Sequence, residues 1–227
     1  MKDIIDSFFR ITLFAIIIII WWWVLNQKFS NIVDITIIIG GILLIYPIAF
    51  LGRKMLYKNT TMNRTTRITT LVHYSVVILA GTSVIRAIKT HQDWSDWLLP
   101  IPTEIGLVLV TATGAATLLA VINLAVKGFG APFAIALSRK LAIDWMYAWT
   151  RNPMVLSVLA FGISLGIWFQ SILFILLVLI WFTPALLILV KIFEERELEI
   201  RFGASYVEYK SRTPMLFPRK PKGVRLK

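Results

Sequence analysis

Two short polar stretches, Arg151-Asn152-Pro153 and Glu194-Glu195-Arg196-Glu197-Leu198-Glu199, flank a strongly apolar region and carry the residue types that could do chemistry. Asn is a favoured helix N-cap and Pro a favoured first helical residue, so the triplet predicts a helix start whose free N–H groups, with the Arg151 guanidinium beside them, suit an anion. The triplet alone also reads as a capped helix with an arginine at a membrane edge. The acids directly follow an apolar helix, where they would be unfavourable at a true C-terminus. The helix is therefore expected to continue into solvent, with Phe193, Leu198 and Ile200 on an apolar face and Gly203 ending it. Taken alone, the acids also read as a solvated helix face with internal Glu-to-Arg pairs. Together, the two ends would suit a zwitterionic or sulfonium ligand: Arg151 for a carboxylate, Glu194 and Glu195 for an ammonium or hydroxyls, and Tyr147, Trp149, Tyr206 and Tyr209 for a cationic or flat group. The residues do not choose between S-adenosylmethionine and another amphiphilic ligand.

The elements that must position these residues are membrane helices. The chain has 227 residues, 58% of them hydrophobic, with a mean hydropathy of +0.77, far above a soluble domain. Six spans fit the hydropathy, about Phe8–Leu25, Ile32–Leu51, Ile68–Ile88, Glu104–Val126, Met154–Phe169 and Ser171–Ile192, which makes the predicted fold all-α and polytopic. The first reads as a retained span and not a signal peptide, because it ends in Trp21-Trp22-Trp23 and lacks a small-residue cleavage pattern. The fifth is short, and the turn at Gln170 folds the last two into a hairpin. Pro47 and Pro184 are expected to distort their helices. Thr111, Thr113, Gly114, Ala115 and Ala116, with Gly162 and Gly166, supply small faces for helix packing. Residues 1–126 read as an N-terminal four-helix membrane region, and 127–227 as a ligand-binding region with a basic tail.

Charge orients the chain. The loop holding Arg53, Lys54, Lys58, Arg64 and Arg67, the loop holding Lys127, Arg139, Lys140 and Arg151, and the acid-free tail from Lys210 are basic, whereas the loop after the third span holds Lys89, Asp93, Asp96 and Glu104. The positive-inside rule then puts both termini and both ends of the hairpin in the cytoplasm, in a cell or inner membrane. The excess of Lys and Arg fits attraction to anionic lipid head groups near the tail better than nucleic-acid binding. Cysteine is absent, and His73 and His91 are too few and too far apart to suggest a metal site. Arg86, Asn123 and Asp34 are polar residues in or near the earlier spans; Arg86 and Asn123 are expected to snorkel from span ends. His73 looks deep and is expected to hydrogen-bond between helices.

The order Tyr147-x-x-x-Arg151-Asn152-Pro153-Met154, hairpin, Glu194-Glu195-x-x-Leu198, Phe202-Gly203-x-x-Tyr206-x-x-Tyr209, Pro214-x-x-x-Pro218 resembles the isoprenylcysteine carboxyl methyltransferase and phospholipid methyltransferase superfamily. Gly128-Phe129-Gly130-Ala131-Pro132-Phe133 is similar to the lead-in of its bacterial members, and is no dinucleotide fingerprint, since strand and second motif half are missing. The resemblance implies an integral-membrane enzyme that binds S-adenosylmethionine in a cytoplasm-facing pocket and takes a lipophilic acceptor from the bilayer. It implies one wall from Tyr147, Arg151, Asn152, Pro153 and Met154 and another from Glu194, Glu195, Leu198, Tyr206 and Tyr209, with Arg151, Glu195 and Glu194 as the functional residues. Methyl transfer would then need in-line placement of the acceptor more than a strong base, with Glu194 or Glu195 available for a proton. The chain departs from the family pattern at Trp145, where Gly is usual, at Ala148, where Arg is usual, at Val155-Leu156-Ser157 and at Met215. Two other readings stand beside this one. A sterol-reductase-like enzyme would bind NADPH at such a hairpin, although its usual motifs are replaced by Glu-Arg-Glu and Arg201-Phe202-Gly203-x-x-Tyr206; a non-catalytic membrane protein would retain only the pocket.

Overall fold

A computed structural model describes residues 2–57, 61–94, 97–128 and 138–221. Lys58, Asp96, the stretch Phe129–Phe133 and the last tail cations Lys222, Arg225 and Lys227 lie outside the described residues. Among the described residues the architecture is all-α apart from one antiparallel bridge between Leu98 and Ser171. The helices are α1 (Lys2–Asn26), α2 (Asn31–Leu43), α3 (Ile45–Leu56), α4 (Met62–Thr90), α5 (Thr103–Gly128), α6 (Met146–Trp149), α7 (Pro153–Trp168), α8 (Ile172–Phe202) and α9 (Ala204–Arg212).

All six apolar segments are helical, and four stretches are long and apolar enough to cross a bilayer: Asn31–Leu56, Met62–Asp93, Thr103–Gly128 and Ile172–Phe202. They mark an integral membrane protein. α7 has 16 residues, which at a rise of about 1.5 Å each falls short of a bilayer core. It ends in a Schellman turn: Gln170 adopts φ +56°, its N–H donates to the Ile167 carbonyl, and the Ser171 N–H donates to the Gly166 carbonyl. That turn makes the hairpin between α7 and α8.

The two prolines leave different marks. The helix from Asn31 is interrupted at Leu44, one turn before Pro47, which separates α2 from α3. In α8, Pro184 lies between two π-helical segments, Leu177–Phe182 and Leu189–Glu194. Thr183 contributes its hydroxyl to the Val178 carbonyl at 2.8 Å, an internal bond of the kind a membrane helix needs where its ladder is disturbed.

One apolar core joins α2, α3, α4, α7 and α8 through Ile38, Ala49, Val72, Leu159, Phe174 and Phe193, so residues on both sides of position 126 share it. Gly52 allows a close approach within it, where a Cβ would stand 2.7 Å from Val72 and 2.8 Å from the Phe193 ring. Gly162 and Gly166 lie against Val178 and Ile175, the packing role their size suggests.

Two polar residues behave differently from the snorkelling expected of them. Arg86 is 1% exposed, and its guanidinium meets the Asp34 carboxylate at 2.5 Å and donates to the Val24 and Gln27 carbonyls at 2.9 Å. Carbonyls at the end of α1 give this charge its partners inside the bundle, and Phe29 covers it. Asn123 is fully buried and accepts the Met146 N–H at 3.1 Å, because α6 packs across the end of α5. Asp34→Ala is expected to destabilise the fold by about 3–5 kcal/mol, the usual cost of leaving one member of a buried pair alone. Replacing both members with apolar residues should recover most of that loss, as read from reversible unfolding in detergent.

Candidate functional site

The site lies where the tail-side ends of α4, α7 and α8 meet α6 and α9. It begins with a turn at Asp144–Tyr147, closed by the Tyr147 N–H donating to the Asp144 carbonyl at 3.1 Å. Trp145 holds φ +53° and ψ −121° there, a conformation that glycine adopts freely and a bulky residue does not. This is the position where the resembling family usually has Gly, and Trp145 is exposed with Lys127 over its ring.

Next, the stretch from Trp149 to Asn152, extended at Thr150, is clasped by the tail. The Arg151 N–H donates to the Pro214 carbonyl at 2.9 Å, the Arg219 N–H to the Trp149 carbonyl at 3.0 Å, and the Thr150 hydroxyl to the Met215 carbonyl at 3.1 Å. Asn152 precedes α7 and Pro153 opens it, as the triplet predicts, but the Asn152 side chain does not cap the helix. Its amide donates to the Met215 carbonyl at 2.9 Å instead, since the tail brings that acceptor within reach. The start of α7 is thus tied to the tail.

Arg151 is the centre of the cluster. Its side chain is 10% exposed; it meets the Glu195 carboxylate at 2.5 Å and donates to the Lys210 and Thr213 carbonyls at 2.7 and 3.1 Å. Its Nε is buried with no partner. Glu195 accepts from Lys210 as well, at 2.6 Å, and Lys210 reaches Glu199 at 3.1 Å, because residues four apart share one helix face. Glu194, one residue earlier, points to another helix and meets His73 of α4 at 3.3 Å. Glu197 pairs with Arg201 at 2.8 Å, and Arg201 also donates to the Ser138 carbonyl.

The expected site residues therefore divide into groups. Arg151, Glu195 and the backbone around Asn152 are in one hydrogen-bonded network, and the Tyr209 hydroxyl donates to the Tyr147 carbonyl at 2.6 Å. Tyr206 is 2% exposed and packs beside Tyr209, with ring centroids 6.2 Å apart. Pro153 is buried and Met154 and Leu198 half-buried, whereas Trp149 is largely exposed. Lys210 and the Thr213 and Met215 carbonyls were not among the expected residues, and Lys210 carried only the general signal of a basic tail. His73 forms the expected helix-to-helix contact, with a partner that no sequence spacing reveals.

Burial above all pushes the hydroxyls of Tyr147, Tyr206 and Tyr209 above the ordinary tyrosine range, and the carboxylates of Glu194 and Glu195 add to the push on Tyr206. For Lys210, burial works against the charge but hydrogen bonds to Glu195 and Glu199 outweigh it, so its ammonium is held above the usual lysine range. The arrangement leaves one buried guanidinium N–H, that of Arg151 Nε, to offer to an anion. Comparison of the chain with protein-family models, curated proteins and solved structures finds no match.

Four groups held protonated in the fold make stability complete below about pH 10 and make it fall as the pH rises past their unfolded values. A tyrosinate absorbance titration to pH 11 should leave Tyr147, Tyr206 and Tyr209 protonated. Unfolding the protein at that pH should release the missing absorbance.

Proposed function

We propose that this chain is an integral-membrane S-adenosylmethionine-dependent methyltransferase acting on a lipophilic or membrane-delivered acceptor. The observation that carries the reading is Arg151: a nine-tenths-buried guanidinium with an unpartnered Nε, joined to Glu195 and Lys210 and set among three buried tyrosines. A buried donor without a partner is costly and favours a site that a ligand completes. The resemblance of Tyr147–Pro218 to the isoprenylcysteine carboxyl methyltransferase and phospholipid methyltransferase superfamily gives the ligand its identity, and the pairing of Arg151 with Glu195 fits the two walls it implies.

The residues fit the cofactor chemically. Arg151 Nε would take its carboxylate, Glu195 and Glu199 would balance its ammonium, and the tyrosines would line the sulfonium and base. Bound, the cofactor supplies an electrophilic methyl group. The chain's own contribution is to hold and orient: the tail carbonyls of Lys210 and Thr213 fix the guanidinium plane, and the α7–α8 hairpin keeps the cluster at one end of the apolar bundle. The basic loops and tail fit a cytoplasmic placement of that end, with both termini on the same side and an anionic lipid surface beside the tail.

A non-catalytic membrane protein retaining the pocket is the second reading, and two observations favour it. Glu194, Glu195, Glu197 and Glu199 each have a cationic or histidine partner within the chain, and Trp145 occupies a glycine-type backbone position. Calorimetric titration separates the readings. The methyltransferase should bind S-adenosylmethionine, and not NADPH, with an affinity reduced roughly 10- to 100-fold in Arg151→Lys, which keeps the charge but not the Nε fork, given the ~1.5–3 kcal/mol of a charged hydrogen bond. No heat with S-adenosylmethionine would refute the enzyme reading, and binding of NADPH alone would favour the sterol-reductase-like alternative.

A further inference from the structure

His73 lies on α4, and its ring is fixed from both sides. Nδ1 is 2.9 Å from the Thr69 carbonyl oxygen, which is only an acceptor, so Nδ1 carries a hydrogen. Nε2 is 3.3 Å from the Glu194 carboxylate, and Phe193 packs edge-on against the ring at 6.0 Å between centroids. With Nδ1–H committed, a neutral imidazole presents a lone pair at Nε2, and the carboxylate presents lone pairs as well. The two atoms attract only if a proton lies between them, as imidazolium with carboxylate or imidazole with carboxylic acid. Either form has zero net charge.

Other charged groups near the pair have partners of their own or face solvent. Glu197, within Coulombic reach of the ring, is paired with Arg201; Glu195 is held by Arg151 and Lys210. From α3, Arg53 donates to the Tyr57 hydroxyl and the Ile192 carbonyl, and Arg196 faces the Tyr57 ring and Glu199. Lys191 is exposed. Tyr147 and Tyr206, on which the Glu194 charge acts, are protonated phenols. A fresh positive charge entering this end of the bundle therefore has, among the described groups, the proton of this pair to exchange.

We propose that His73 and Glu194 form a one-proton pair that gives up its proton when a sulfonium ligand enters the site, so that the site keeps its net charge. The inference rests on the methyltransferase reading for the identity of the cation. The balance is simple: one cation enters, one proton leaves to solvent, and the pair is left as neutral imidazole and carboxylate. Discrimination between cofactor and product follows, because the neutral thioether has no charge to replace the proton.

Calorimetry with S-adenosylmethionine and S-adenosylhomocysteine, in buffers of different ionisation enthalpy, counts the protons. The sulfonium should release about one proton more than the thioether, and its affinity should rise about tenfold per pH unit while the pair is loaded, as linkage requires. Glu194→Gln and His73→Asn should each abolish that difference, with folding checked by thermal unfolding of both. Binding of S-adenosylmethionine with no greater proton release than S-adenosylhomocysteine, or full release in both variants, would overturn the proton exchange and leave the methyltransferase reading standing. Failure of both ligands to bind would overturn the two together.

Discussion

A guanidinium removed from water must find a carboxylate, and the contact between Arg151 and Glu195 meets that demand where the chain brings its last helices together. The rest of the site depends on it. Arg151 sits at the start of α7 and Glu195 near the end of α8, so the pair closes the hairpin at the end opposite the Gln170 turn. Arg151 Nη1 reaches carbonyls of α9 and the tail, and Glu195 holds Lys210. Loss of Glu195 would strand the Arg151 guanidinium and loosen four segments at once. The same rule governs the far end, where Arg86, Asp34 and the terminal carbonyls of α1 satisfy one another.

What aims these charges is the irregularity of α8. A π-helical segment holds an extra residue, which turns everything after it by about 100° relative to a regular helix. The segment Leu189–Glu194 ends where the acidic run begins, and the two adjacent glutamates then face different neighbours, Glu194 toward α4 and Glu195 toward α7. Pro184 and the Thr183 hydroxyl bond belong to the same distortion. A membrane helix carries such a defect at a cost, and here the defect orients the acids of the proposed cofactor site.

Much of this architecture is legible in the sequence because hydropathy reports depth directly. The six apolar segments, the helix start at Pro153, the turn at Gln170 and the end of α8 at Gly203 all follow from length, cap and turn chemistry. Which helices touch does not. His73 and Glu194 lie on helices separated by most of the chain, and no periodicity links them. Arg86 and Asn123 look like interfacial residues because their partners, the carbonyls ending α1 and the Met146 N–H, are backbone atoms without any residue signature. Asn152 illustrates the same limit: its type predicts a cap, and the tail offers its amide a competing carbonyl. At the site itself, the residue types and their gathering at one end of a hairpin could be read in advance, whereas the saturation of the glutamates by Arg151, Lys210, Arg201 and His73 required the three-dimensional arrangement.

Direct photolabelling of the membrane-embedded protein with radiolabelled S-adenosylmethionine, followed by peptide mapping, distinguishes a ligand site at the Arg151 cluster from a mere brace. A ligand site should take label within Tyr147–Met154 or Glu194–Thr213, displaced by excess unlabelled S-adenosylhomocysteine. Label confined to other peptides, or none above that seen with a heat-unfolded control, would leave the cluster a brace.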